Sequence, residues 1–220
     1  MAVKYYGFWR SLAACRVRIA VALKGLQGEE LSVNLMQGEQ RKPEYMKVNP
    51  LGVVPALVMD DGSPLFESLA IIEYIDETNP QPPLLPKDPR GRARARGLAQ
   101  IIACDTHPLI VPRVRNYLEK ELKIDEAARN RWCQHWIMEG LKAIEGHLAR
   151  DKDTGRYCHG DAPTIADICV TTQVFGARFF SCDTSGIPTV MRVFDECMKL
   201  PAFANSHPMK QPGAPKELKH

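Results

Sequence analysis

An α/β amino-terminal half followed by an all-α carboxy-terminal half is the fold class expected of this sequence. Three observations carry it. Strand-like and helix-like segments alternate over residues 1–80, a proline-rich stretch then interrupts them, and strand signals vanish beyond it. With 220 residues, 45% of them apolar, the chain can bury a core. The expected organisation is 1–80 as the α/β domain, 81–90 as the linker and 91–220 as the helical domain.

The elements follow in order. "VKYYGF" (3–8) is aromatic-rich and suits a strand. From Cys15 to Lys24 the pattern turns helical, with Val17, Ala20, Val21 and Leu23 on one side and Arg16, Arg18 and Lys24 largely on the other; Gly25 stops it. "EELSVNL" (29–35) is a second strand, completing a βαβ unit with a parallel crossover. In "NPLGVVPALVMDDGSPLFES", Ala56 to Met59 and Leu65-Phe66 flank the turn residues Asp61-Gly62 as a hairpin. Ser68 to Glu77 is a helix whose apolar face holds Leu69, Ile72 and Ile75, with Ser68 as its cap. The order βαβ, irregular helix, ββα is that of a thioredoxin-like domain. Prolines 80, 82, 83, 86 and 89 mark the linker, since they deny both helix and sheet a donor. Beyond it lie helical stretches, among them one that spaces Trp132, Trp136, Ile137, Leu141, Ile144 and Leu148 along a single face. "GDAPTIADICV" sets Thr164 and Asp167 at capping-box spacing, a structural feature at a buried helix start. "SHPMKQPGAPKELKH" reads as a polar tail that lies on the surface or frays.

A formal charge of +3 is too mild for nucleic-acid binding. The basic run "KDPRGRARAR" reads as the solvated start of a helix. Seven scattered cysteines lack CxxC pairs and zinc spacing; they are expected to be reduced thiols, with no metal site. "MAVKYYGFW" has no signal-peptide core and no stretch has the length of a membrane span, so a soluble cytoplasmic protein is expected.

Candidate chemistry concentrates at the starts of helices. Ser11 lies between the first strand and the first helix. It reads either as an N-cap or as a hydroxyl that, with the helix dipole and free N–H groups, stabilises a thiolate. Cys15 competes as the sulfur, but its place in an apolar turn suits a packed core residue, which points to a thiol borrowed from a ligand. Val54-Pro55 reads as a cis bond beside an open peptide edge or as an ordinary edge-strand proline. Glu67-Ser68 reads as plain capping or as a receptor for the ammonium and carboxylate of a γ-glutamyl peptide. His107 is a lone histidine before a proline, suited to a core, interface or functional place. Arg113 and Arg178 lie in apolar surroundings, where an arginine snorkels or binds an acid.

These halves and the motif "GDAPTIADI" together resemble the cytosolic glutathione transferases. More narrowly, "FWRSLAACRVRIAVALKG" is similar to the zeta-class opening R-S-S-x-x-x-R-V-R-I-A-L-x-L-K-G, and "NPLGVVPAL", "ESLAIIEYIDETNPQPPLLPKDP" and "SHPMKQPGAPKEL" also match. The resemblance implies the transferase fold, glutathione as cofactor, a homodimer, and cis–trans isomerisation of maleylacetoacetate or maleylpyruvate in aromatic catabolism. It puts the thiol-activating serine at Ser11 and glutathione contacts at Gln40, Val54, Glu67, Ser68 and His107. Arg10, Arg113 and Arg178 would read the carboxylates of a small dicarboxylate-like substrate. Three departures stand out: Leu12 replaces the second signature serine, removing a polar contact; Ala13 replaces the cysteine of animal members; and Val111 replaces an asparagine of the maleylpyruvate-active members. Conjugation or dehalogenation of α-halo acids would use the same groups, and a non-catalytic interaction module would keep only the fold.

Overall fold

The computed structural model describes residues 2–215. They divide into two compact units. One runs to Leu84 and is rejoined by the segment from Leu200 onward, and the other is Leu85–Lys199.

In the first unit β1 (Ala2–Gly7) leads into α1 (Leu12–Leu23) and β2 (Gln27–Ser32). A 3₁₀ turn (Glu39–Arg41) and α2 (Pro43–Val48) precede β3 (Ala56–Val58), β4 (Pro64–Phe66) and α3 (Ser68–Thr78). The sheet order is β2-β1-β3-β4; β1 is parallel to β2 and antiparallel to β3, and β3 is antiparallel to β4. Alternation along β1 serves two faces. Tyr5 donates to Glu30 (3.1 Å) beside Arg18 of α1, whereas Tyr6 packs edge-on against Tyr45 of α2, ring centroids 5.4 Å apart. Gly25, at φ +65°, takes the left-handed conformation that ends α1. The Val54-Pro55 bond is cis, and Pro55 precedes β3 instead of interrupting it.

The second unit is helical throughout its regular elements. α4 (Pro89–Gln100) runs into a π-helical turn (Ile101–Thr106) and a 3₁₀ turn (His107–Leu109), followed by α5 (Pro112–Lys120), α6 (Glu126–Arg150), α7 (Ile165–Phe179) and α8 (Pro188–Met198). Every residue of α7 from Ile165 to Ala177 is buried, so it is the central helix of this unit. Its capping box forms as expected: Asp167 accepts from Thr164 N–H (2.8 Å) and also from Cys158 N–H (2.7 Å). Gly140 lets α6 approach the π turn, because a Cβ there would overlap the Thr106 methyl. The basic run on α4 is only partly solvated: Arg94 turns inward to Asp151 (2.7 Å) and Thr154 (2.9 Å).

The segment from Leu200 carries a short α9 (Pro201–Ala204). With α3 it helps to bury the side of α1 that carries Arg16, Arg18 and Lys24. α3 and α9 both pack on α1, and Arg16, Arg18 and Lys24 are 1%, 8% and 7% exposed. Buried charge requires partners. Arg16 donates to Ser68 Oγ (3.2 Å), Arg18 forks onto Glu30 (2.9 and 3.0 Å), and Lys24 reaches the Asp76 carboxylate and the Pro82 carbonyl. The Ser206 carbonyl accepts from Cys15 Sγ (3.2 Å) and Arg18 Nη1 (3.1 Å). The first part of the expected surface tail is therefore anchored, with Ser206 and Pro208 buried; its last residues, 216–220, lie outside the described residues.

Candidate active site

The turn from β1 into α1 closes with Ser11 N–H donating to Phe8 O (2.9 Å). Ser11 is extended (φ −71°, ψ 116°) and caps α1, its Oγ accepting from Ala14 N–H at 3.1 Å. Capping and thiolate stabilisation are compatible here. The cap bond uses a lone pair, so the hydroxyl proton remains to be donated to an anion. Leu12 and Ala13 N–H precede the first intrahelical bond and add to the positive end of the helix. Leu12 itself packs inward, 8% exposed, so the residue replacing the second serine belongs to the core and not to the polar lining of the turn.

Cys15 is a core residue. It is fully buried, burial pushes its thiol up to about 11, and its proton goes to Ser206 O. None of the seven cysteines forms a disulfide.

Two further parts of the site belong to the same unit. Gln40 lies in the 3₁₀ turn, where its Oε1 is buried without a hydrogen-bond partner. Val54 is 6% exposed and precedes the β3 ladders, which start at Ala56 and so do not use its backbone groups. Phe8, Val33, Tyr45 and Val54 form one apolar cluster, with Trp9 against it, which ties the Ser11 turn to the Val54 loop. Glu67 stands at φ +69°, ψ 121°, a region that costs a non-glycine residue about 1–3 kcal/mol, and N-caps α3 without a side-chain bond. Ser68 is thus the first helical residue and not the cap; its Oγ receives Arg16, because α1 offers a buried donor directly beneath it. The donor set fits glutathione. Glu67 and Gln40 Oε1 can accept from an ammonium and amides, the uncapped start of α3 suits a carboxylate, the Val54 edge suits an extended peptide, and Ser11 suits a thiolate.

The remaining sequence candidates are distributed over the two units. Arg10, in the first, is exposed beside Ser11. In the second unit His107 opens the 3₁₀ turn directly after the π turn. Arg113 is exposed in the first turn of α5, whose N-cap, Val111, makes no side-chain cap bond. Arg178 lies in the last turn of α7, its guanidinium 4.4 Å from the Phe194 ring centroid. The sequence did not single out Tyr45 or Asn49 as supports of the Val54 loop. The one local signal was "NP", since Asn49 Oδ1 accepts from Leu51 N–H (3.1 Å) in an Asx turn.

Known proteins resemble this arrangement over its whole length. Residues 1–77 match the amino-terminal domain of glutathione S-transferases. The maleylacetoacetate isomerase of Pseudomonas aeruginosa is 43% identical over 97% of this chain and 99% of its own. The maleylpyruvate isomerase of a Ralstonia species is 44% identical over 96% and 99%. The crystal structure of the maleylacetoacetate isomerase of Methylobacterium extorquens AM1, with bound malonate and GSH, superposes with a TM-score of 0.95 at 48% identity, covering 97% of this chain and 100% of that one. A helix-capping hydroxyl, a Val54 edge that the sheet leaves unpaired and relatives matching from end to end lead to one assignment: the chain belongs to the glutathione transferase family, in the zeta-class group of maleylacetoacetate and maleylpyruvate isomerases.

Proposed function

We propose that this protein is a glutathione-dependent isomerase that converts maleylacetoacetate or maleylpyruvate to the fumaryl isomer in aromatic catabolism. The observation that carries the reading is Ser11: a hydroxyl fixed at a helix start by Ala14 N–H, with its own proton left to donate. Bound glutathione supplies a thiolate that adds to the cis double bond and leaves again after rotation, so it is regenerated as a cofactor. Ser11 and the α1 start hold that sulfur as an anion. Glu67, Ser68, Gln40, Val54 and His107 hold the peptide. Arg10, Arg113 and Arg178 take the carboxylates of the dicarboxylate-like substrate and the negative charge that develops on its conjugated carbonyl. One such donor is worth about 10² to 10³ in turnover. Malonate in the Methylobacterium relative supports a site for two carboxylates. A homodimer and a cytoplasmic location complete the proposal. Seven cysteines without a disulfide support a reducing compartment, and among the described residues no helix is long and apolar enough to cross a membrane.

Ser11→Ala tests the central role. The variant loses its cap, which costs about 1 kcal/mol of stability. It should still bind glutathione while isomerisation falls by about 10² or more, with the alkaline rise in rate moved to higher pH. Full turnover with an unchanged pH profile would remove Ser11 from the mechanism.

A further inference from the structure

We infer that Tyr45, helped by Asn49, is a positioning residue for glutathione: the two side chains clamp the Val53 carbonyl and thereby aim the Val54 peptide edge. The inference rests on the glutathione reading of the site. Tyr45 Oη donates to Val53 O at 2.6 Å and Asn49 Nδ2 donates to the same oxygen at 3.0 Å. Both residues are buried, at 6% and 4% exposure. A carbonyl has two lone pairs, so two donors saturate it and fix its plane. The next residue is Val54, whose backbone groups the sheet leaves to a ligand. Rotation of the Val53–Val54 peptide plane would turn that edge away, and the double clamp opposes this rotation.

The same ring also belongs to the apolar cluster that packs the site. Tyr45 belongs to the cluster containing Phe8 and Val54, it packs edge-on against Tyr6, and Phe8 O receives Ser11 N–H. The ring therefore shares its packing with both the Ser11 turn, through Phe8, and the Val54 loop, and its hydroxyl fixes the orientation of the peptide edge. Burial raises the Tyr45 phenol well above its ordinary value, with the nearby Tyr6 adding to the rise, so it remains a donor throughout the working pH range. Asn49 anchors the other side of the loop: its Oδ1 takes Leu51 N–H (3.1 Å) and its carbonyl takes Gly52 N–H (2.8 Å).

Tyr45→Phe removes one oxygen and keeps the ring, so the apolar spacing stays while half the clamp goes. Calorimetric titration with glutathione should give a Kd raised about three- to tenfold, the range expected for one hydrogen bond. At saturating glutathione, kcat should stay within about twofold, because the groups at the sulfur are intact. An unchanged Kd, or a lowered kcat at unchanged Kd, would overturn the proposal; a lowered melting temperature with unchanged Kd would make the clamp merely structural and overturn it equally. Should Tyr45→Phe fail to fold, Asn49→Ala removes the other donor and is read by the same criteria. The wild type separates failure of the clamp from failure of the functional reading. If it bound no glutathione, the functional reading would fail, whereas a wild type that binds and a Tyr45→Phe variant that binds equally well would leave that reading intact and remove only the clamp.

Discussion

Ser11 and Cys15 lie one helical turn apart, and their surroundings give them opposite chemistry. Ser11 keeps a proton to donate at a positive helix end, while Cys15 is sealed beneath Ser206 with its thiol raised to about 11 by burial. Much of this was legible in the sequence: a serine before an apolar helix is a cap, and a cysteine inside the stripe is core. The burial of Arg16 and Arg18 was not legible, because Ser68, which receives Arg16, and Ser206, whose carbonyl takes Arg18 beside its Glu30 pair, lie 52 and 188 residues away. The raised thiol also predicts a pH effect. Below about pH 9, the ordinary thiol value, Cys15 keeps its proton folded or unfolded, and its contribution to stability is fully present. As pH rises towards about 11 only the unfolded chain ionises, and that contribution is lost. A rise from 9.0 to about 11 corresponds to roughly 2–3 kcal/mol. Urea midpoints of wild type should therefore fall more steeply between pH 9 and pH 11 than those of Cys15→Ala. Equal slopes would show that this thiol is not protected.

Among the elements, those governed by local rules agree best with the sequence. The hairpin, the Gly25 stop and the Thr164–Asp167 capping box occur as expected, since each is decided within a few residues. Edges shifted where long-range pairing decides. β2 runs from Gln27 to Ser32, where the pairing with β1 ends: Gly7 faces Ser32, Val33 N–H makes the last ladder bond to Gly7 O, and the Val33 side chain joins the Phe8–Tyr45 cluster. The start of α3 shows strain retained at a site. Glu67 holds a positive φ that glycine would adopt without steric penalty. Glu67→Gly should raise unfolding free energy by about 1 kcal/mol, read by urea denaturation, while glutathione affinity falls at least about tenfold. A variant that loses stability and keeps full affinity would contradict both the strain and the role of the carboxylate.

For the molecule as a whole, the division between an α/β first half and a helical second half was visible in the pattern of apolar residues and prolines. The return of the chain at Leu200 to the first unit was not, because the binding of Ser206 to α1 leaves no periodic trace in "SHPMKQPGAP". What the whole molecule must do, if Ser11 and its surroundings are read correctly, is use glutathione as a cofactor without consuming it. A single assay decides this: maleylacetoacetate and maleylpyruvate are followed by ultraviolet absorbance, with and without glutathione, while free thiol is titrated in parallel. Conversion to the trans acid should occur only when glutathione is present, at constant thiol, with the faster substrate naming the physiological acid. Thiol consumed in step with substrate, or conversion of neither acid by protein that binds glutathione, would contradict the cofactor role.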